Sequence, residues 1–543
     1  MIKKPTLIIL AAGKVTSKLP FMSSMSTCPA LIPLGVKSSL LHQISFYQNK
    51  VGKIIILTNK EHFKEVSQEI YPEFLKNEKN YFKIITCKTK NVNKTLEFFC
   101  KSIFFKNSED YLVNLSTSIP EKFISKNSFG ISKEKIIQQN WSSVILTKKI
   151  IKKINYRKEL NKTVSNAFIG IFRINGQKLK KLINLCKTDD QIEILDLCIK
   201  KYKQANLEYQ KWLDVGHSAN YFQTKKKLIV SRNFNKIEIH NTKGTIIKTS
   251  ADFKKIENES LFIKKLPENL KIFFPRIIKR KKNLNSSSFE MEYCAFPTLS
   301  ETSLFWNIEK AEWKKCFETL SNILSEFKNY TNNFSLDQYI QFYYVRLIKR
   351  TQTYIKSLDI EFKNLFLAEE IIINNKKQKG LSILLPLIKQ KIISIYKKED
   401  FCIMHGDFCF NNILYEPYTS ALKLIDVRGS FNSLKSTIYG DQKYDYAKLS
   451  HSAVHFYDYL IAGQYKFHKN NQKLFYEFLI KENYKLISEE CNNQIKKNGY
   501  NIKDIDFIVG ISFLSMTALH KEDKLRQVIM FLHGISILNK CLE

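Results

Sequence analysis

The residues best able to do chemistry lie close together late in the chain, in FCIMHGDFCFNNILYEP and the following ALKLIDVRGS. His405-Gly406-Asp407 puts a carboxylate in a tight loop, and Asn412 follows five residues later. The apolar run Leu422 to Ile425 then ends in Asp426-Val427-Arg428-Gly429. Carboxylate and amide oxygens are hard ligands suited to magnesium. Phosphoryl transfer needs such ligands, together with a group that orients the attacking hydroxyl. Taken singly, His-Gly-Asp is a common turn, and an Asp after a strand is often a cap. The order, the spacing and the intervening apolar runs NILY and LKLID make the combination informative.

This constellation resembles the catalytic loop and second magnesium site of aminoglycoside phosphotransferases and choline kinases. The resemblance implies that Asp407 accepts or orients the substrate hydroxyl proton, that Asn412 holds magnesium, and that Asp426 is the main metal ligand. His-Gly-Asp replaces the His-Arg-Asp of protein kinases, and no Asp-Phe-Gly or Ala-Pro-Glu follows, which favours a small-molecule acceptor. The stretch TIYGDQKYDYAKLSHS resembles that after the magnesium Asp in capsule-associated members. Asp441 and Asp445 are expected there to buttress the loops or line the acceptor site; as an N-cap, Asp445 has an equally good structural role.

A kinase of this kind carries a strand Lys that neutralises phosphates and a Glu on the next helix that pairs with it. GTIIKTSADFKKIENESLFIKKLP offers Lys248 at the end of an apolar strand and Glu259 on a helix marked by Phe253, Ile256 and Phe262, with Glu257 close by. SSFEMEYCAFPTLSE resembles the strand and hinge that carry the adenine through backbone hydrogen bonds, which points to Met291, Glu292, Tyr293 and Cys294. ATP and magnesium are the cofactors implied.

The start of the chain, LIILAAG and then CPALIPLGVKSSLLHQISFY, resembles sugar-phosphate nucleotidyltransferases, whose first loop cradles nucleotide phosphates on backbone amides. Lys211-Trp212-Leu213-Asp214-Val215-Gly216-His217 with Tyr221 resembles their Trp-x-Asp-x-Gly element, which makes Asp214 a metal candidate, with His217 in a structural role. Other parts depart from that family. Val15 and Ser17 stand where a Gly and an Arg are usual, leaving Lys18 as the nearest cation, and Cys28-Pro29-Ala30 lacks the Lys of the Pro-Lys element. Thr117, in VNLSTSIP, falls where a second magnesium Asp is expected, and a hydroxyl brings no charge to offset the ion.

These groups need two kinds of scaffold. Residues 1–228 alternate short apolar runs (TLIILAAG, KIIILTN, YFKIITC, DYLVNLS, SSVILT) with amphipathic stretches, the pattern of an α/β domain with a mostly parallel sheet. The character changes at about Lys225. Residues 229–300 then read as a β-rich lobe opening with a hairpin around Asn241-Thr242-Lys243-Gly244. Residues 301–543 read as a helical lobe carrying the catalytic loop; between 301 and 400 helical periodicity dominates, as in Phe317, Leu320, Leu324 and Phe327. The second half is thus an α+β, two-lobed, protein-kinase-like domain.

At 543 residues and 44% hydrophobic content, the chain can fill more than one core. Its formal charge of +36 comes from lysines spread along the whole length, amid abundant Asn and Ile, so it reads as a solvated basic surface with no nucleic-acid motif behind it. Eleven cysteines without Cys-x-x-Cys or zinc spacing fit a reducing cytoplasm. The apolar start is short and runs into Ala-Ala-Gly, as a buried strand does rather than a signal peptide, and no spanning segment follows.

The two halves together resemble fusion proteins encoded with bacterial capsule and surface-polysaccharide enzymes. That implies a kinase for a hydroxyl of a sugar, polyol or amino alcohol in precursor synthesis, with CTP or UTP and a sugar phosphate as candidate ligands of the first half. Two other readings compete. The first half could be a nucleotide- or sugar-phosphate-sensing module controlling the kinase, or the chain could be a non-catalytic scaffold in glycan assembly, against which intact Asp407, Asn412 and Asp426 argue. Aromatic residues in HFYDYL and QFYYVRL could stack on an acceptor's cation or sugar ring, or simply fill the core.

Overall fold

The computed structural model describes residues 4–13, 28–77, 81–89, 91–137, 141–147, 150–156, 164–203, 205–228, 235–240, 243–282, 286–306, 308–416, 419–431 and 436–543. Val15, Ser17, Lys18, Asn241 and Thr242 lie outside them. The chain divides into two compact units, Met1–Leu228 and Ile229–Glu543. The change of character read at about Lys225 falls within the helix Ser218–Leu228.

The five apolar runs of the first unit become the strands Thr6–Ala11, Lys53–Asn59, Phe82–Cys87, Asp110–Leu115 and Ser143–Thr147 of a nine-stranded sheet. Side chains alternate across a strand, so Ile8, Leu10, Ile55 and Leu57 enter one core, while Leu7, Ile9, Ile54 and Ile56 enter the other. The first core is covered by Leu96 and Phe99 of Val92–Cys100, Leu179 and Leu182 of Gly176–Ile183, and Ile194 and Leu195 of Ile192–Tyr202. The second is covered by Leu40 and Ile44 of Ser39–Tyr47 and Val66 and Ile70 of Phe63–Lys76. Burial on both faces is why these strands read as continuous apolar runs.

The expectation of a mostly parallel sheet is corrected: the sheet is mixed. Thr6–Ala11 pairs in parallel with Lys53–Asn59 and Asp110–Leu115, and Lys53–Asn59 does so with Phe82–Cys87. The twelve-residue strand Val164–Asn175, however, runs antiparallel to Asp110–Leu115, Ser128–Ile137 and Ser143–Thr147. Ser143–Thr147 also pairs antiparallel with Ile150–Asn155, across a connection far too short for the crossover that parallel strands require.

In the second unit, Asn235–His240, Thr245–Ser250, Ser287–Glu292 and Ile277–Lys282 form an antiparallel sheet in that spatial order. The helix Phe253–Lys265 follows the second strand, and its Ile256 and Phe262 are buried. Leu299–Phe305 and Lys310–Lys328 begin a helical region in which Phe317, Leu320, Leu324 and Phe327 are fully buried. One part of the helical stretch departs from expectation. Glu370–Ile373 and Lys376–Lys379 form a hairpin, and Lys473–Phe478 and Tyr465–Asn470 extend it to four strands. Its two turn residues, Asn374 and Asn375, have φ of 50° and 61°, the left-handed pair that a tight hairpin demands and that asparagine tolerates. No helix among the described residues is long and apolar enough to cross a membrane.

Candidate functional site

Two short antiparallel strand pairs hold the candidate residues of the second unit. Phe401–Ile403 pairs with Tyr439–Asp441, and the loop that leaves it holds His405, Gly406 and Asp407; Ile413–Glu416 pairs with Ala421–Leu424, which runs into Asp426. Three hydrogen bonds lock the loop. The buried Asp445 accepts the His405 and Gly406 amides at 2.7 and 2.8 Å, and His405 Nδ1 accepts the Asp407 amide at 3.2 Å. Burial, opposed by those two amides, pushes the Asp445 carboxyl up to about 7, while burial brings the His405 imidazole down to about 4 and keeps it neutral. Asp445 is therefore a buttress of the loop; the cap of the helix Gln442–Ala453 is Asp441, whose carboxylate accepts the Lys443 amide. Asp441 also takes the Tyr343 hydroxyl at 2.7 Å.

Asn412 gives its side-chain N–H groups to Asp407, at 2.9 Å to the carbonyl and 2.9 Å to Oδ2, so the amide oxygen is the face it has for a cation. Its carbonyl accepts the Ile425 amide at 3.0 Å, joining the two loops directly behind Asp426. Asp426 adopts φ of 63°, a left-handed conformation unusual for a residue with a Cβ, and its carboxylate is partly exposed. Asp407 is paired with the buried Lys448 at 2.9 Å. Burial raises the Asp407 carboxyl, yet Lys448 outweighs it and Arg428 adds to the effect, holding the group well below the usual carboxylate range.

Lys248 bridges to these loops from the sheet. Its ammonium pairs with Glu259 at 2.6 Å and with Asp426, and both Lys248 and Glu259 are buried. Burial drives the Glu259 carboxyl up to about 7 against the pull of Lys248, while Lys248 stays protonated because Glu259 and Asp426 outweigh its desolvation. Glu257 instead reaches Lys282 at 3.4 Å between exposed side chains, which separates the two candidate glutamates. Met291 and Glu292 end a strand. Tyr293 and Cys294 continue without regular structure, the Tyr293 amide bonded to the Gly244 carbonyl at 3.0 Å. That segment leads to Thr298, which bridges to Leu414, two residues after Asn412.

Five predicted residues, Lys248, Glu259, Asp407, Asn412 and Asp426, thus converge on one site. Magnesium fits the donor set: the partly exposed carboxylate of Asp426, one oxygen of which Lys248 holds, and the amide oxygen of Asn412 leave positions for phosphate oxygens, the arrangement the ion favours. Sequence reasoning missed Lys448, although it lies one helical turn beyond Asp445 and shares its face. It also missed Arg346, Arg350 and Tyr444.

Asp214 belongs to the first unit. Its Oδ1 accepts the Gly216 amide at 3.0 Å, and its Oδ2 is shared by His217 Nδ1 at 2.7 Å and Asn220 at 3.0 Å. Thr117 is beside it, its carbonyl accepting the Val215 amide at 3.0 Å. The chain's own donors occupy both carboxylate oxygens.

No family model matches this chain, and no curated protein matches it. Among solved structures it is similar to an aminoglycoside-3'-phosphotransferase of type VIII, with 11% sequence identity and a TM-score of 0.29, over 52% of this chain and 93% of that one.

Proposed function

We propose that residues 229–543 are an ATP- and magnesium-dependent phosphotransferase acting on a hydroxyl of a small molecule. The observation that carries this reading is the convergence of Lys248, Glu259, Asp407, Asn412 and Asp426, drawn from a strand, a helix and two loops, on one site. Such a set has no common structural purpose.

Magnesium held by Asp426 and Asn412 would offset charge on the nucleotide phosphates. Lys248, steadied by Glu259, is released from Asp426 to the phosphates as the nucleotide enters. Asp407 accepts a hydrogen bond from the acceptor hydroxyl and aims its oxygen at the γ-phosphorus. The new O–P bond forms as the bond to the ADP oxygen breaks. A carboxylate held so acidic is a weak base, so it orients the hydroxyl first and takes its proton late, as a loose transition state permits.

Steady-state assays over sugars, polyols, choline and ethanolamine test the reading through magnesium-dependent ADP release. Asp407→Ala is expected to lower turnover about 10²- to 10⁴-fold with nucleotide binding retained. Failure of the wild-type protein to bind ATP with magnesium would refute the assignment.

For the first unit, the occupied oxygens of Asp214 and the hydroxyl of Thr117 beside it favour binding a nucleotide or sugar phosphate over nucleotidyl transfer. CTP or UTP binding without pyrophosphate release supports that role; pyrophosphate release on adding a sugar phosphate contradicts it. A place in surface-polysaccharide precursor synthesis is compatible with either outcome.

A further inference from the structure

Beside Asp407 stands a group of arginines that the phosphoryl-transfer parts do not use. The Arg428 backbone amide is bonded to the His405 carbonyl at 2.9 Å, and its side chain packs against Gly406, where an added Cβ would meet Arg428 Cβ at 2.7 Å. Its guanidinium lies 4.9 Å from the Tyr444 ring and 5.5 Å from that of Phe342. Arg346 lies over the same two rings, at 5.4 and 3.9 Å. Arg350 follows one turn later on the helix Arg346–Lys356, half-buried, and feels the charges of the same Tyr444 and Arg428.

Three guanidiniums gathered at one place repel one another, and burial adds a desolvation cost to each. Ordinarily carboxylates offset both. Here none of the three makes an ion pair among the described residues, and the groups acting most strongly on Arg346 besides burial are Tyr444, Arg428, Arg350 and Tyr343. The carboxylates that act on Arg428 are already engaged: Asp407 by Lys448 at 2.9 Å, and Asp445 by the His405 and Gly406 amides. Arg428 gives one N–H to the Tyr444 hydroxyl at 3.1 Å, while its Nη1 and Arg346 Nε are buried without a hydrogen-bond partner among the described residues. Burial would raise the Tyr444 phenol, yet Arg428 and Arg346 bring it down to about 7, so the cluster favours negative charge beside it.

We infer that Arg346, Arg350 and Arg428 bind an anionic group, a phosphate monoester or carboxylate, on the acceptor whose hydroxyl Asp407 orients. Guanidinium forks suit both anions, since each presents paired oxygens to paired N–H groups. The acceptor is then an already phosphorylated or acidic small molecule, and a cationic amino alcohol is disfavoured by repulsion from the guanidiniums. The inference rests on the phosphotransferase reading and narrows its substrate class.

Calorimetric titration of the full chain, saturated with magnesium and the non-hydrolysable ATP analogue AMP-PNP, separates the possibilities. The probes are glycerol 3-phosphate, glucose 6-phosphate and glycerate, against glycerol, glucose and choline. At least one anion is expected to bind about tenfold or more tighter than its neutral counterpart, and Arg346→Gln and the milder Arg350→Gln each to weaken it about tenfold. The phosphorylated and carboxylate probes tell the two anion sources apart. Melting temperatures report that the variants are folded. The inference is overturned if no anion outbinds its neutral counterpart, if choline binds best, or if folded variants bind the anion as before. It is overturned too if the variants lose AMP-PNP instead, since the arginines would then serve the nucleotide. A wild-type protein that takes no AMP-PNP removes the phosphotransferase reading itself, whatever the anions do.

Discussion

Lys448 sets the protonation state on which Asp407 depends. Partly exposed but 2.9 Å from the buried Lys448 ammonium, the Asp407 carboxyl is held well below its ordinary range, so it is ionised throughout the pH range in which the protein would work. Wild-type kcat/KM should therefore show no acid limb attributable to this group. Lys448→Met removes the main counter-charge and leaves burial, which acts upward. The sign follows: the folded-state value rises, the protonated form gains population as pH falls, and activity is lost on the acid side. We expect a new acid limb in the pH profile, with about a tenfold loss in kcat/KM for each pH unit below it. A profile that drops uniformly at every pH would mean that Lys448 only supports packing. Asp407, Asn412 and Asp426 were legible in the sequence because chemistry fixed their types and spacing. Lys448, Arg346 and Arg350 were not, because a basic side chain in a chain with 87 Lys and Arg looks solvated until the fold encloses it.

At the scale of elements, the segment after Asp426 is clamped to the helix Phe253–Lys265. Gly429 has φ of 62°, and a Cβ there would run into the backbone carbonyl of Asn258, next to Glu259. Both the left-handed conformation and the close approach require glycine. Gly429→Ala should destabilise the second unit by about 2–4 kcal/mol, read from the denaturant midpoint. It should also raise the KM for ATP, because the displaced helix carries Glu259 away from Lys248. An alanine variant of unchanged midpoint would show that the loop and helix move apart freely. Buried strands and the helix Lys310–Lys328 could be read directly from apolar runs and 3.6-residue spacing. The mixed character of the first sheet could not, since strand direction depends on connections rather than on the runs themselves. The hairpin around Asn374-Asn375 did carry its turn signal, but the helical periodicity on either side concealed it.

At the scale of the molecule, the chain separates at Leu228 and Ile229, and each unit fills a core of its own. The first buries two apolar faces of one sheet, and the second buries helices such as Ile502–Met516, whose side chains from Ile505 to Met516 are almost all enclosed. A unit of 315 residues with its own core is large enough to fold alone, and it holds all five residues of the proposed site, Lys248, Glu259, Asp407, Asn412 and Asp426. Residues 229–543 expressed separately should unfold in one cooperative step, matching one of two transitions in the intact chain by calorimetry. Magnesium with ATP should raise that transition in both samples and leave the other in place. Their ATP turnover should agree within about threefold, an energy difference of well under 1 kcal/mol. If the separated unit folds but turns over much faster or much slower than the intact chain, the first unit controls the kinase, and CTP, UTP and sugar phosphates become candidate effectors to titrate against that rate.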